Sequence, residues 1–340
     1  MNDVHRIVIH VGAPKTGSTY LQNRMRADPA HLRKAGIYVP VLPAVAQMAG
    51  NAKLLATALS RCPSLCFQRV FPHIDVSALE PSAIVSELLR DWSSNDESIV
   101  LSAEDFRPDH AVAVRKLLPA SAPCVVVLFV RRQDQWIESY FNQLTKTGDL
   151  SEDLPSFVTR LCDTQGARFC RPDWNAHYEA WRHSFGNCSV VFYEEAKSNI
   201  FAAFLHAAGL PAVSDLIDVD RAKVSLNVHE LAYLLSLERP FSHSELVRRR
   251  KASAEASQRL GPAAIHSILG PAERAQLQRR FENSNCTLLN AIGRAYEPAL
   301  LRLTQALSYR RLDEIYASDG YVRHKELADA IFAGSAETDP

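Results

Sequence analysis

Four short stretches of this 340-residue chain set chemically capable side chains directly behind apolar runs. Gly12-Ala13-Pro14-Lys15-Thr16-Gly17-Ser18-Thr19 closes the first run, and Ser102-Ala103-Glu104-Asp105 the second. Arg131-Arg132 closes the third and Glu194-Glu195 the fourth. A lysine and two arginines attract an anion. The carboxylates beside them can take a proton from a hydroxyl. Gathered on one rim, these groups make an anion site with an acid/base partner.

The elements that would gather them follow from hydrophobic pattern. Residues 6–13, 97–106, 122–132 and 187–196 are apolar and rich in β-branched side chains, which predicts four buried strands. Each is followed by a segment of helical spacing: after 18, across 108–119, from 134 into "DQWIESYFNQLTK", and from 198 into "SNIFAAFLHAAGL". Continuous apolar strands alternating with helices predict an α/β fold, a three-layer sandwich with a central parallel sheet flanked by helices. Such sheets bind ligands at the carboxyl ends of their strands, where the four stretches fall. A single domain is expected over 1–335, with excursions at 40–96 and 212–270 and a loose tail at 336–340. A helix is expected within 81–92 and a long one over 270–296.

The first loop has the glycine spacing of the nucleotide-kinase phosphate loop, GxxxxGK[ST], with Thr19 in the last place. Ser18 occupies the lysine position, however, and Lys15 lies inside the loop. Backbone N–H groups of such a loop cradle an anion whichever residue carries the cation. A glycine-bearing strand-to-helix turn does not by itself separate an anion cradle from an ordinary turn.

A second feature narrows the reading. "PKTGSTYLQ" resembles the PKSGTTW-like loop of sulfotransferases that use 3′-phosphoadenosine-5′-phosphosulfate (PAPS). The strand-Arg131-helix-Ser139 arrangement in "VVVLFVRRQDQWIESYFNQ" resembles that family's second motif, and "VVFYEEAKSNIFAAFLHAAGL" its later strand and helix. The resemblance runs over about residues 6–210, with a weaker echo in "LGPAERAQLQRRFENSN". It implies a P-loop-like fold and a chain that moves a sulfuryl group from PAPS to an acceptor hydroxyl, a carbohydrate or glycolipid by analogy with bacterial members. It implies that Lys15, Thr16, Gly17, Ser18 and Thr19 bind the 5′-phosphosulfate, that Arg131 and Ser139 bind the 3′-phosphate, and that Lys15 steadies the bridging oxygen. PAPS is then the co-substrate, 3′-phosphoadenosine-5′-phosphate (PAP) the product, and no metal is needed. The family's RKGxxGDW-like segment has no counterpart beyond the basic run 247–253, which reads equally as a solvated face.

The acceptor hydroxyl needs a base. Glu104, at the end of a predicted central strand, is the first choice, with a helix cap or a salt-bridge partner of Arg131 or Arg132 as its structural alternative. His10 and Glu194 follow; His10, within the first strand, also reads as a satisfied core histidine. Trp136 and Tyr140 read as helix core rather than an adenine platform. Two other functions share the loop: a P-loop small-molecule kinase and a non-catalytic nucleotide-binding protein.

Composition excludes little beyond this. With 47% hydrophobic and 22% charged residues and zero formal net charge, the chain lacks the basic excess of a general nucleic-acid binder. No apolar run reaches the roughly 18 residues of a membrane span, and the start does not read as a signal peptide. A cytoplasmic protein is expected, with a small-molecule or glycan acceptor as partner. The seven cysteines form no paired CxxC, so reduced thiols are expected and no zinc site.

Overall fold

A computed structural model describes residues 5–46, 50–61, 63, 65–93, 96–150, 152–162, 171–214, 216–217, 219, 225–237, 242–261, 267–294 and 309–335. The expected tail at 336–340 lies outside the described residues, as do parts of the 212–270 excursion. The chain divides into two compact units. One comprises Met1–Arg132, Ala167–Ala222 and Phe281–Leu301; the other comprises Gln133–Gly166, Lys223–Arg280 and Arg302–Pro340.

The first unit is built on five parallel strands in the order β2-β3-β1-β4-β5. They are β1 (Ile7–Gly12), β2 (Ile37–Tyr38), β3 (Ser98–Ala103), β4 (Cys124–Val130) and β5 (Cys188–Phe192). The four predicted strands are all present. The two-residue β2 pairs with β3 at the sheet edge and is too short for a periodic signal. β1, β3 and most of β4 are buried on both faces, which is why they read as unbroken apolar runs.

Alternation sorts each strand's side chains between two layers. Val8, Val100, Val127 and Phe129 join one core with Leu21 and Met25 of the Ser18–Ala27 helix and Phe204 and Leu205 of the Ile200–Ala208 helix. The Trp174–Phe185 helix packs against β4 and β5 and against the Ala111–Leu117 helix. The 40–96 excursion is part of this unit and carries the Lys53–Ser60, Leu65–Val70 and Pro81–Leu89 helices.

In the sheet order, β1 stands between β3 and β4. The chain leaves β1 toward β3 on one side and leaves β4 toward β5 on the other. The crevice between the carboxyl ends of β1 and β4 is therefore a topological switch point, where open α/β sheets bind ligands. The Gly12–Ser18 loop and Arg131 hang from these two ends.

The second unit is helical among its described residues. In the Gln133–Thr147 helix Trp136, Tyr140 and Phe141 are buried. Trp136 lies 4.9 Å from Tyr140 and Phe141 lies 5.4 Å from Phe157 (ring centroids), so these aromatics are core, as the sequence suggested. Arg274, at the start of the long Pro271–Ala291 helix, forms buried ion pairs with Asp134 and Glu138. The basic run is not a free solvated face. In the His243–Leu260 helix, the guanidinium carbons of Arg248 and Arg249 stand 4.7 and 3.9 Å from the Phe332 ring of the Asp319–Gly334 helix. Arg249 also pairs with Glu245 at 3.2 Å and Asp329 at 3.4 Å.

Candidate functional site

The loop after β1 has an unusual backbone. Lys15 has φ of 69° and Gly17 has φ of 92°, so two left-handed residues flank Thr16. Alternating hand turns successive N–H groups to one side and forms an anion-binding concavity. Gly17 is also the N-cap of the Ser18–Ala27 helix and offers no side-chain cap. The positive dipole end of the helix thus faces the loop, and that is the helix end that favours an anion. Left-handed backbone costs a lysine about 1–2 kcal/mol, and such strain concentrates where function requires it.

The loop's side chains close its underside. Thr16 Oγ1 donates to the Ala13 carbonyl at 2.7 Å, and Ser18 Oγ lies 3.3 Å from Thr16 Oγ1. The Thr16 proton being committed, Ser18 is the donor of that pair. Thr16 is fully buried and Ser18 nearly so. Thr16 therefore offers a ligand its backbone rather than its hydroxyl. Any Cβ at position 12 would overlap Ser18 Oγ and crowd His10, which explains the glycine there.

His10 sits beneath this loop in the core. Its Nδ1 is 2.8 Å from Ser102 Oγ, its direct partner in the β1–β3 register, and Gln22 Nε2 donates to the same hydroxyl at 3.0 Å. The ring stands edge-on to Phe129 and Phe204, with centroids 5.0 and 5.7 Å away. It has no solvent exposure, and burial pushes its pKa down to about 3. Of its two sequence readings, the core histidine is the one that the structure supports; a group so enclosed cannot meet an acceptor hydroxyl.

Arg131 links β4 to the loop. Its Nη1 donates to the Lys15 carbonyl at 2.9 Å, across the switch point, and its guanidinium lies 4.8 Å from the Tyr193 ring centroid. Two sequence-predicted residues, Lys15 and Arg131, are thereby brought together. Ser139 is half-buried on the Gln133–Thr147 helix, in the second unit. Thr19 is half-buried in the first turn behind the loop.

Glu104 follows β3, the neighbour of β1, and is partly buried. The cation found beside it is Lys53, 3.7 Å from its carboxylate and 3.1 Å from that of Asp105. Lys53 opens the Lys53–Ser60 helix, inside the excursion where the sequence offered no recognisable motif. Sequence reasoning missed it because nothing local marks a lysine as facing a strand end some fifty residues away. Glu194 Oε1 accepts from the Arg132 amide at 2.9 Å. Burial pushes the Glu194 carboxyl above the usual range, against the opposing effect of that amide and of Arg131 and Arg132.

Beside the loop's helix lies a cavity of about 480 Å³, lined in part by Tyr20, Arg24, Asn199, Phe201 and His206. Among the described residues no group of three or more His, Cys, Asp or Glu is placed to hold a metal ion, and Cys124, Cys162, Cys188 and Cys286 are free thiols. Among the described residues no helix is long and apolar enough to cross a membrane.

No family model matches the chain, and no curated protein matches it. Among solved structures, the chain is similar to a sulfotransferase from Alicyclobacillus acidocaldarius, at 11% identity, covering 86% of this chain and 97% of that one, with a TM-score of 0.48.

Proposed function

We propose that this chain is a sulfotransferase that carries a sulfuryl group from PAPS to a hydroxyl of a carbohydrate or glycolipid acceptor. The observation that carries the reading is the place of Lys15 in the chain: a lysine within the loop, in left-handed backbone, its carbonyl fastened by Arg131. A kinase loop holds its lysine on the helix, where Ser18 stands here.

In this reading the loop N–H groups, that of Ser18 among them, and the Thr19 hydroxyl hold the 5′-phosphosulfate. Thr16 and Gly17 contribute backbone, and Arg131 and Ser139 take the 3′-phosphate. The acceptor oxygen attacks sulfur while the bond from sulfur to the bridging oxygen breaks. The bonding pair stays on that oxygen, and PAP leaves. The Lys15 ammonium offsets the charge growing on the bridging oxygen, an electrostatic contribution that strengthens toward the transition state. Glu104 takes the acceptor's proton, and Lys53 holds the Glu104 side chain at the strand end. No step calls for a metal ion.

Incubation of the chain with PAPS labelled in its sulfuryl group and a panel of sugar acceptors tests the reading. Transfer of label that persists in EDTA supports it. Absence of transfer from PAPS, with transfer of the γ-phosphate of ATP to the same acceptors, would make the chain a kinase.

A further inference from the structure

The chain presents two consecutive arginines at the end of β4, and the fold must decide which one faces the loop. They meet unlike environments. Arg131 reaches the Lys15 carbonyl, whereas Arg132 is 5% exposed. The single peptide group joining them is gripped from both ends. Its carbonyl, that of Arg131, accepts from the Trp174 indole N–H at 2.6 Å. Its N–H, that of Arg132, donates to Glu194 Oε1 at 2.9 Å.

Both gripping side chains are themselves fixed. Trp174 has no solvent exposure and begins a helix capped by Asp173, whose carboxylate accepts from the Ala176 amide at 3.1 Å. Glu194 lies in the short helix that directly follows β5, and β5 is in register with β4 up to the Val130–Phe192 pair. Rotating the peptide plane would break both hydrogen bonds and turn the two arginines away from their places.

Glu194 is a costly choice for a merely structural acceptor. Its Oε2 is buried and finds no hydrogen-bond partner in another of the described residues. A buried polar atom left in this way costs stability and calls for a reason. Positioning a guanidinium against a strained loop is such a reason.

We infer that Trp174 and Glu194 are positioning residues that clamp the Arg131–Arg132 peptide, and so select Arg131 as the arginine that reads the nucleotide's 3′-phosphate. The inference rests on the proposed PAPS site. Neither residue touches the nucleotide in it; both act through Arg131.

The test is calorimetric titration of the full chain with PAP and with AMP, which lacks the 3′-phosphate. The ratio of the two affinities isolates what Arg131 reads. Trp174→Phe keeps the buried ring and loses the N–H; Glu194→Ala loses the acceptor, and Glu194→Gln keeps one. Trp174→Phe and Glu194→Ala should each lower the PAP-to-AMP ratio on the order of tenfold, the scale of one hydrogen bond. Glu194→Gln should restore most of it. A structural role alone would weaken both ligands together and leave the ratio unchanged, and that result overturns the inference. If the unaltered chain shows no preference for PAP over AMP, the proposed PAPS site itself fails and the clamp's purpose fails with it.

Discussion

Lys15 carries two separable burdens, an ammonium for chemistry and a backbone in the left-handed region, and two substitutions pull them apart. At φ of 69° a residue with a Cβ pays about 1–2 kcal/mol that glycine does not. Glycine costs about 0.5–1 kcal/mol more than alanine through the freedom of its unfolded chain. The balance favours Lys15→Gly over Lys15→Ala by about 0.5–1 kcal/mol. For a unit of this size that is a melting-temperature difference of about 1–4 °C. Both variants lose the ammonium, so turnover should fall about 10²–10³-fold in each. Differential scanning calorimetry of the two proteins, paired with turnover at saturating PAPS, reads both quantities. Alanine and glycine variants that melt together would refute the left-handed strain. A glycine variant that turns over normally would refute the catalytic use of the ammonium.

Arg131→Ala should weaken PAP by about 1.5–3 kcal/mol, the scale of a charge-assisted hydrogen bond. Adenosine-5′-phosphosulfate, which has no 3′-phosphate, should be less affected. Because Arg131 also holds the Lys15 carbonyl, that ligand should weaken measurably too, by about 0.5–1.5 kcal/mol, and titration of both ligands separates the effects. Glu104→Gln should slow the chemical step by about 10²–10⁴-fold with PAP affinity unchanged; a fall in PAP affinity together with melting temperature would instead assign Glu104 a structural role. Burial depresses the pKa of His10 to about 3, against about 6.5 in the unfolded chain, so the unfolded state takes the proton first as pH falls. The contribution to stability is full above pH 6.5 and is lost toward pH 3, at about 1.4 kcal/mol per pH unit. Denaturant titrations at pH 7 and 5 should show His10→Asn to be less sensitive to acid than the unaltered chain, and equal sensitivity would contradict a buried neutral imidazole.

The sheet was legible because β1, β3 and most of β4 are buried on both faces and therefore carry unbroken β-branched runs, each closed by a helix signal. The short β2 was not, since Ile37 and Tyr38 alone have no period. The loop and Arg131 were legible as residue types at strand ends, where parallel sheets collect ligands. Their contact was not. A guanidinium reaching the carbonyl of residue 15 depends on the register that sets β4 beside β1, which spacing along the chain does not contain. Lys53 and Trp174 were invisible for the same reason: one comes from an excursion without motif, the other from the Trp174–Phe185 helix, which no motif marks. Glu194 was seen on the rim, but its bond to a backbone amide required the orientation of one peptide plane.

A site in the loop with Lys15 and Arg131 for a nucleotide carrying both a 5′-anion and a 3′-phosphate is open to one titration of the full chain, with PAP and with ATP, each with and without magnesium. On the proposed site, PAP should bind more tightly than ATP, with an affinity that magnesium leaves unchanged, because ATP lacks the 3′-phosphate assigned to Arg131. Equal affinities, or a preference for ATP that appears with magnesium, would contradict it.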